Sequence, residues 1–184
     1  EAAQALETAF DWAMGAGPLL EEPLWGVKVR LAEMRTGELR AAAVIPALRR
    51  AFHAAVMLAS PRIAEPVYLV DIIARPEAVG KCREILAKRR GQLTGENPVG
   101  CTPFVRVRGV LPVLDAVGVE TDIRSLTLGV ARVALLFDGW QVVPGDPLDA
   151  SARTEQLEPA EPIALARDIF LKVRRQKGLP EVLE

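Results

Sequence analysis

An α+β fold class is predicted for this chain, on three observations. Residues 66–143 switch apolar periodicity in the order strand, helix, strand, strand, helix, strand. Proline and glycine punctuate those segments where elements should start or stop. Outside them, three amphipathic helical patterns frame the stretch, the last with an apolar stripe and nothing local to cover. The central order is that of the split β-α-β sandwich called ferredoxin-like.

Taken in order, residues 2–14 place Ala5, Leu6, Ala9, Phe10 and Ala13 on one helical face, and Gly15 and Gly17-Pro18 end it. Val27–Leu31 alternates apolar and basic residues, which predicts a strand with one wet side. Thr36-Gly37 reads as a turn. A helix is predicted over Val44–Ala59, with Pro46 in its first turn, Ile45, Leu48, Phe52, Ala55, Val56 and Ala59 as its buried stripe, and Ser60-Pro61 as its stop.

Within the central unit, Val67–Ile73 is rich in β-branched residues and lies between Pro66 and Pro76. Pro76 then opens a helix, where a missing N–H costs nothing. Val79, Cys82, Ile85 and Leu86 share its apolar face, and Gly91 is the expected stop. A short strand near Gln92–Gly95, a loop over residues 96–100 and a strand over Phe104–Val113 follow. Asp115 is the expected cap of a second helix bearing Ala116, Val119, Ile123 and Leu126, with Gly129 ending it. Ala131–Val143, the longest apolar run, is the last strand.

Pro144-Gly145-Asp146-Pro147 suits a type II turn. Residues 149–161 are polar and proline-punctuated. A final helix is predicted from Pro162 to Lys177, with Ile163, Ala166, Ile169, Phe170 and Val173 on one side, basic residues complementing the dipole of its last turns, and Gly178 closing it. The first 60 residues offer too few elements for a closed core. The last helix is therefore expected to pack back on them, giving a discontinuous domain of 1–61 and 144–184 around an inserted unit of 62–143.

Composition narrows the function classes. The 184 residues are 50% hydrophobic with a net charge of −1, so the chain can bury a core and carries no global field for nucleic acid or anionic membrane. No apolar run reaches the length of a membrane span. The chain starts at Glu1 rather than Met, which reads as a piece of a longer protein. Cys82 and Cys101 are expected as buried, reduced thiols. No P-loop and no dinucleotide fingerprint occur; Gly80-Lys81 lacks the earlier glycine and the hydroxyl. His53, the sole histidine, reads as a packed or solvated side chain, and Glu21-Glu22 as solvated charge. Neither a metal site nor enzymatic chemistry is expected, and no cofactor within these residues.

Binding is the stronger reading. A ferredoxin-like sheet carries helices on one face and leaves the other open. If Val105, Val107, Val133, Leu135 and Phe137 face the helices, strict alternation puts Phe104, Arg106, Arg108, Arg132, Leu136 and Trp140 on the open side. Arginines interleaved with aromatics suit stacking on single-stranded RNA. Only Phe104-Val105 survives of an RNA-recognition module's third-strand pattern, however, so docking on another domain or protein is the reading adopted. The basic run Lys88-Arg89-Arg90 is either a solvated helix tip or a phosphate contact.

These residues also carry a family resemblance. Phe10-Asp-Trp12 with Gly17-Pro-Leu19 and Glu21, then Ile45-Pro46 with Arg49-Arg50, resembles the fourth domain of the ribosomal translocase family of elongation-factor GTPases. Ser60-Pro-Arg62, Glu65-Pro-Val-Tyr68, Lys88-Arg-Arg-Gly91 and Trp140-Gln-Val-Val-Pro-Gly-Asp-Pro147 resemble its fifth. The blocks occur in the family's order along essentially the whole chain. The resemblance implies a ferredoxin-like domain five inserted in a domain four of the ribosomal protein S5 type. Val119-Glu-Thr-Asp-Ile-Arg124, Pro147-Leu-Asp-Ala-Ser151 and the tail from Leu157 to Leu179 are most similar to the spliceosomal U5 branch of that family.

That branch implies a docking arm in pre-mRNA splicing and in control of spliceosome unwinding. It further implies a nuclear location and, as partners, a large U5 scaffold protein, the U5 RNA helicase, small nuclear RNA and the upstream GTPase domain of the same chain, with no membrane. GTP and Mg would belong to that upstream domain. A translocase or ribosome-maturation fragment and a stand-alone RNA-binding module are the alternatives. The translocase's histidine-bearing glycine loop is replaced here by Glu38-Leu-Arg-Ala-Ala-Ala-Val44, which argues against translocation.

Overall fold

The computed structural model describes residues 2–33, 41–149, 151 and 162–181. The chain divides into two compact units: one of the described residues in Glu1–Ile63, Gly145–Arg153 and Ile163–Glu184, the other built on Ala64–Pro144.

In the first unit, α1 (Ala2–Gly15) lies against α2 (Ala41–Leu58). Ala5, Ala9 and Ala13 are buried on α1, and such small side chains let helices approach closely. The rings of Phe10 and Phe52 meet edge-to-face at 5.9 Å. His53 donates from Nε2 to the Ala16 carbonyl at 2.9 Å, so it is structural. Ser60, at φ +53°, turns the chain just past α2. Two expectations are corrected. The second helix starts earlier than predicted, so Pro46 lies inside it rather than in its first turn. Val27–Leu31 forms no strand among the described residues, because alternation makes a strand only when a neighbouring ladder accepts its backbone. The Thr36-Gly37 turn lies outside the described residues.

The closing helix, α5 (Leu165–Lys177), starts three residues later than predicted. Its fully buried Phe170 carries the guanidinium carbons of Arg167 and Arg174 at 5.1 and 5.2 Å from its ring centroid. Arg174, only 4% exposed, donates to the Leu19 carbonyl at 2.6 Å and the Pro180 carbonyl at 2.5 Å. Lys177 donates to the carbonyls of Leu20 and Glu21 and pairs with Glu22 at 2.5 Å. The basic residues expected to complement a helix dipole thus also fix the loop that follows α1. Gly178 ends α5 at φ +69°, where the Leu179 N–H reaches back to the Arg174 carbonyl at 2.9 Å.

The second unit is a four-stranded antiparallel sheet of β1 (Ala64–Ala74), β2 (Gln92–Pro98), β3 (Val105–Pro112) and β4 (Arg132–Val142), in the order β2-β3-β1-β4. With α3 (Pro76–Lys88) and α4 (Val119–Leu126) this is the ferredoxin-like arrangement. Val70, Ile72 and Ala74 of β1 and Val107 and Leu111 of β3 form a core with Val79, Cys82, Ile85 and Leu86 of α3 and Val119 and Ile123 of α4. A Cβ on Gly109 would stand 2.7 Å from the Gln92 carbonyl oxygen of β2. Gly109→Ala is therefore expected to cost about 1–3 kcal/mol by forcing β2 from β3, as urea denaturation would read.

Three details differ from the sequence reading. The second strand extends to Pro98, with a register shift between Leu93 and Gly95. The left-handed residue after α3 is Arg90, at φ +57°, rather than Gly91, whose N–H closes the turn on the Leu86 carbonyl at 2.7 Å. Gly91 is needed for proximity instead: a Cβ there would meet the Leu86 oxygen at 3.0 Å and Leu111 at 3.1 Å. Finally, Asp115 ends a 3₁₀ turn and does not cap α4, which follows a left-handed Gly118. Its carboxylate is spent on Arg90.

Of the two thiols, Cys82 is buried and Cys101 exposed, which corrects the expectation that both are buried. Burial raises the Cys82 pKa against the lesser pull of its backbone hydrogen bond. Iodoacetamide on the native protein is expected to add one carbamidomethyl group, at Cys101, by intact-mass measurement. Early modification of Cys82 would contradict this packing.

Candidate functional site

The site is built by register. On the side of the sheet away from α3 and α4, Ile73 of β1 lies between Arg106 of β3 and Arg132 of β4. In the next row on that side, Asp71 lies between Arg108 and Ala134; in the one after, Leu69 lies between Val110 and Leu136. On β2, Asn97 pairs with Arg106 and Gly95 with Arg108. The structure therefore brings Arg106, Arg108 and Arg132 together at one end of the open face. Phe104 sits one residue before β3, half-buried, with its carbonyl accepting the Val99 N–H at 2.9 Å.

Arg106 Nε lies 3.4 Å from Asp71 Oδ1, within ion-pair range, but neither atom has an aligned hydrogen-bond partner. Distance and alignment disagree here, and alignment decides: Arg106 gains charge attraction from Asp71 without being fully engaged by it. Arg108 and Arg132 are exposed.

Trp140 is a correction. The register of β1 against β4 shifts between Val67 and Tyr68, so Asp138 is an extra residue in β4. Strict alternation would put Phe137 and Trp140 on opposite faces. With one residue inserted they share a face, and their rings meet edge-to-face at 6.3 Å. Trp140 pairs with Pro66, and Phe137 with Tyr68, on the side that packs the core. Trp140 is thus separated from the arginines. The signal was present in the sequence: Asp138-Gly139 inside an apolar run marks a bulge.

Nor does the basic run form a free patch. Lys88 is exposed, but Arg89 donates to the carbonyls of Asp115 at 2.8 Å and Val117 at 2.6 Å and pairs with Asp122 at 2.5 Å. Arg90 clasps both Glu65 oxygens at 2.9 Å and reaches Asp115 at 2.5 Å. A helix end packed beside two acidic segments has its cations drawn inward.

Among the described residues no group of His, Cys, Asp and Glu could hold a metal ion, and no helix is long and apolar enough to cross a membrane. The face offers cations, one carboxylate and aliphatic surface, which are means to dock a partner.

Comparisons agree with this architecture. The family description "Elongation factor G, domain IV" matches residues 1–60, and "Elongation factor G C-terminus" matches residues 62–151. The chain is 39% identical over 180 residues to the pre-mRNA-splicing factor cwf10 of Schizosaccharomyces pombe, covering 96% of this chain. It is 39% identical over 176 residues to the 110 kDa U5 small nuclear ribonucleoprotein component CLO of Arabidopsis thaliana, covering 94%. It is 36% identical over 178 residues to the pre-mRNA-splicing factor SNU114 of Saccharomyces cerevisiae, covering 92%. The chain spans 18% of the length of each of these relatives. Two consecutive family matches, on an observed ferredoxin-like unit, place the chain in the elongation factor G family, of which it carries the domain IV and C-terminal regions.

Proposed function

We propose that the chain forms domains four and five of a spliceosomal U5 translocase-like GTPase and acts in the nucleus as a docking arm in pre-mRNA splicing. Residues 1–61 and 144–184 make the domain-four-like part, and 62–143 domain five. The observation that carries this reading is identity of 36–39% across nearly the whole chain to splicing factors and a U5 component. The segment itself neither binds nor hydrolyses GTP; GTP and Mg belong to the GTPase domain of the parent protein. Its partners are the large U5 scaffold protein and the unwinding helicase, whose control the arm relays, with small nuclear RNA nearby. Phe104, Arg106, Arg108 and Arg132 are the docking residues, while Trp140, Lys88, Arg89 and Arg90 lie apart from them.

Tagged full-length protein, purified and its bound RNA sequenced, tests this. U5 RNA is expected; recovery of ribosomal RNA instead would sink the proposal.

A further inference from the structure

The open face of the sheet is sorted by charge along its strands. At one end Arg106 and Arg132 bracket Ile73 in a single cross-strand row, with Arg108 in the next. Two strand spacings separate the bracketing pair, about 10 Å across the sheet. At the other end Leu69, Val110 and Leu136 share a row, and Leu136 is 58% exposed. Three guanidiniums thus face one carboxylate, Asp71, beside an aliphatic strip.

Single-stranded nucleic acid on a sheet of this kind needs an aromatic platform at its centre. The insertion of Asp138 has carried Trp140 to the other side, Phe104 stays at the margin, and the central positions are aliphatic. Phosphate could meet the arginines, but bases would find nothing to stack on. Carboxylates meet guanidiniums equally well in paired geometry, and aliphatic side chains meet the strip by burial.

From this sorting we infer that the face binds an acidic, amphipathic polypeptide segment of a partner protein, with carboxylates about 10 Å apart bracketing an apolar side chain that rests on Ile73. This deepens the docking role above and rests on it. It names the chemistry of the occupant, which the family matches do not.

The test places the photo-crosslinker p-benzoylphenylalanine at Ala134, exposed between Asp71 and the sheet edge, in the full-length parent protein in nuclear extract. Peptide mapping by mass spectrometry is expected to find the adduct in another protein, in a stretch with at least a pair of Asp or Glu residues and an apolar residue between them. The double variant R106E/R132E is expected to lower adduct yield about tenfold. Circular dichroism of each variant reports folding, and the crosslinker at Glu84, exposed on α3, is the control for adducts not specific to the face. An RNA adduct, an adduct to a basic stretch or to a second copy of the chain, equal yield from the double variant, or no adduct at Ala134 would each overturn the inference. Co-purification of U5 RNA is read separately, so failure of the U5 assignment is distinguishable from failure of the docking chemistry.

Discussion

Replacing Arg90 with alanine is expected to destabilise the ferredoxin-like unit by about 3–5 kcal/mol, the cost of stranding a buried charge. Its partner Glu65 has a side chain 6% exposed, and the guanidinium that satisfies it is itself 15% exposed. Burial alone would lower the Arg90 pKa. The bonds and charges of Glu65 and Asp115 outweigh that, and the group stays held above its ordinary value. Removal leaves both Glu65 oxygens without their 2.9 Å bonds and frees Asp115. The backbone adds a second effect, since Arg90 sits at φ +57° and alanine keeps that strain without the anchoring side chain.

Arg90→Gly separates the two effects. It removes the same bonds while relieving the backbone, so its loss should be smaller than that of Arg90→Ala by about 1 kcal/mol. Arg90→Lys keeps the charge but cannot make the two-pronged contact, and should fall between alanine and wild type. Urea titrations of the three variants decide the matter. A loss below about 1 kcal/mol for Arg90→Ala would mean that water satisfies Glu65 without penalty, and the buried cluster is not what holds this end together.

Phe170→Ala should be comparably damaging in the other unit, at about 3–5 kcal/mol. The ring is fully buried and is the largest such side chain in the chain's described part. It is also the platform on which Arg167 and Arg174 lie, so truncation loosens two cations whose donors hold the Pro147, Leu19 and Pro180 carbonyls. Phe170→Leu keeps most of the apolar volume and loses only the ring face, and should cost about 1–2 kcal/mol. Amide hydrogen exchange distinguishes this from a local void: protection should fall in α1 and α2 as well as in α5. A fall confined to α5 would show that the helix contributes little to its unit.

How much of this was readable beforehand depended on the range of the physics involved. The ferredoxin-like order followed from local periodicity and from Pro76, and the end of α5 from Gly178, residues that act through the backbone of their own neighbourhoods. Residues decided by a distant partner were misread. Asp115 has the right side chain for a helix cap, but Arg90 arrives from another segment and takes it. Gly91 has the right freedom to end a helix, yet its missing Cβ serves contact with Leu111 instead. Val27–Leu31 has a strand's alternation without a described ladder to join. Counting alternate positions puts Arg106, Arg108 and Arg132 on the open face, and the strand register agrees with that placement. Trp140 was lost because one inserted residue offsets that count.

The offset at Asp138 also bears on how such a sheet diversifies. The bulge, and not the residue count, sets what lies beyond it on the strand: with Asp138 removed, plain alternation would still leave Trp140 opposite Pro66, on the face it shares with Phe137. A single-codon deletion absorbed at the bulge would therefore leave the aliphatic row of Leu69, Val110 and Leu136 without an aromatic neighbour from this strand.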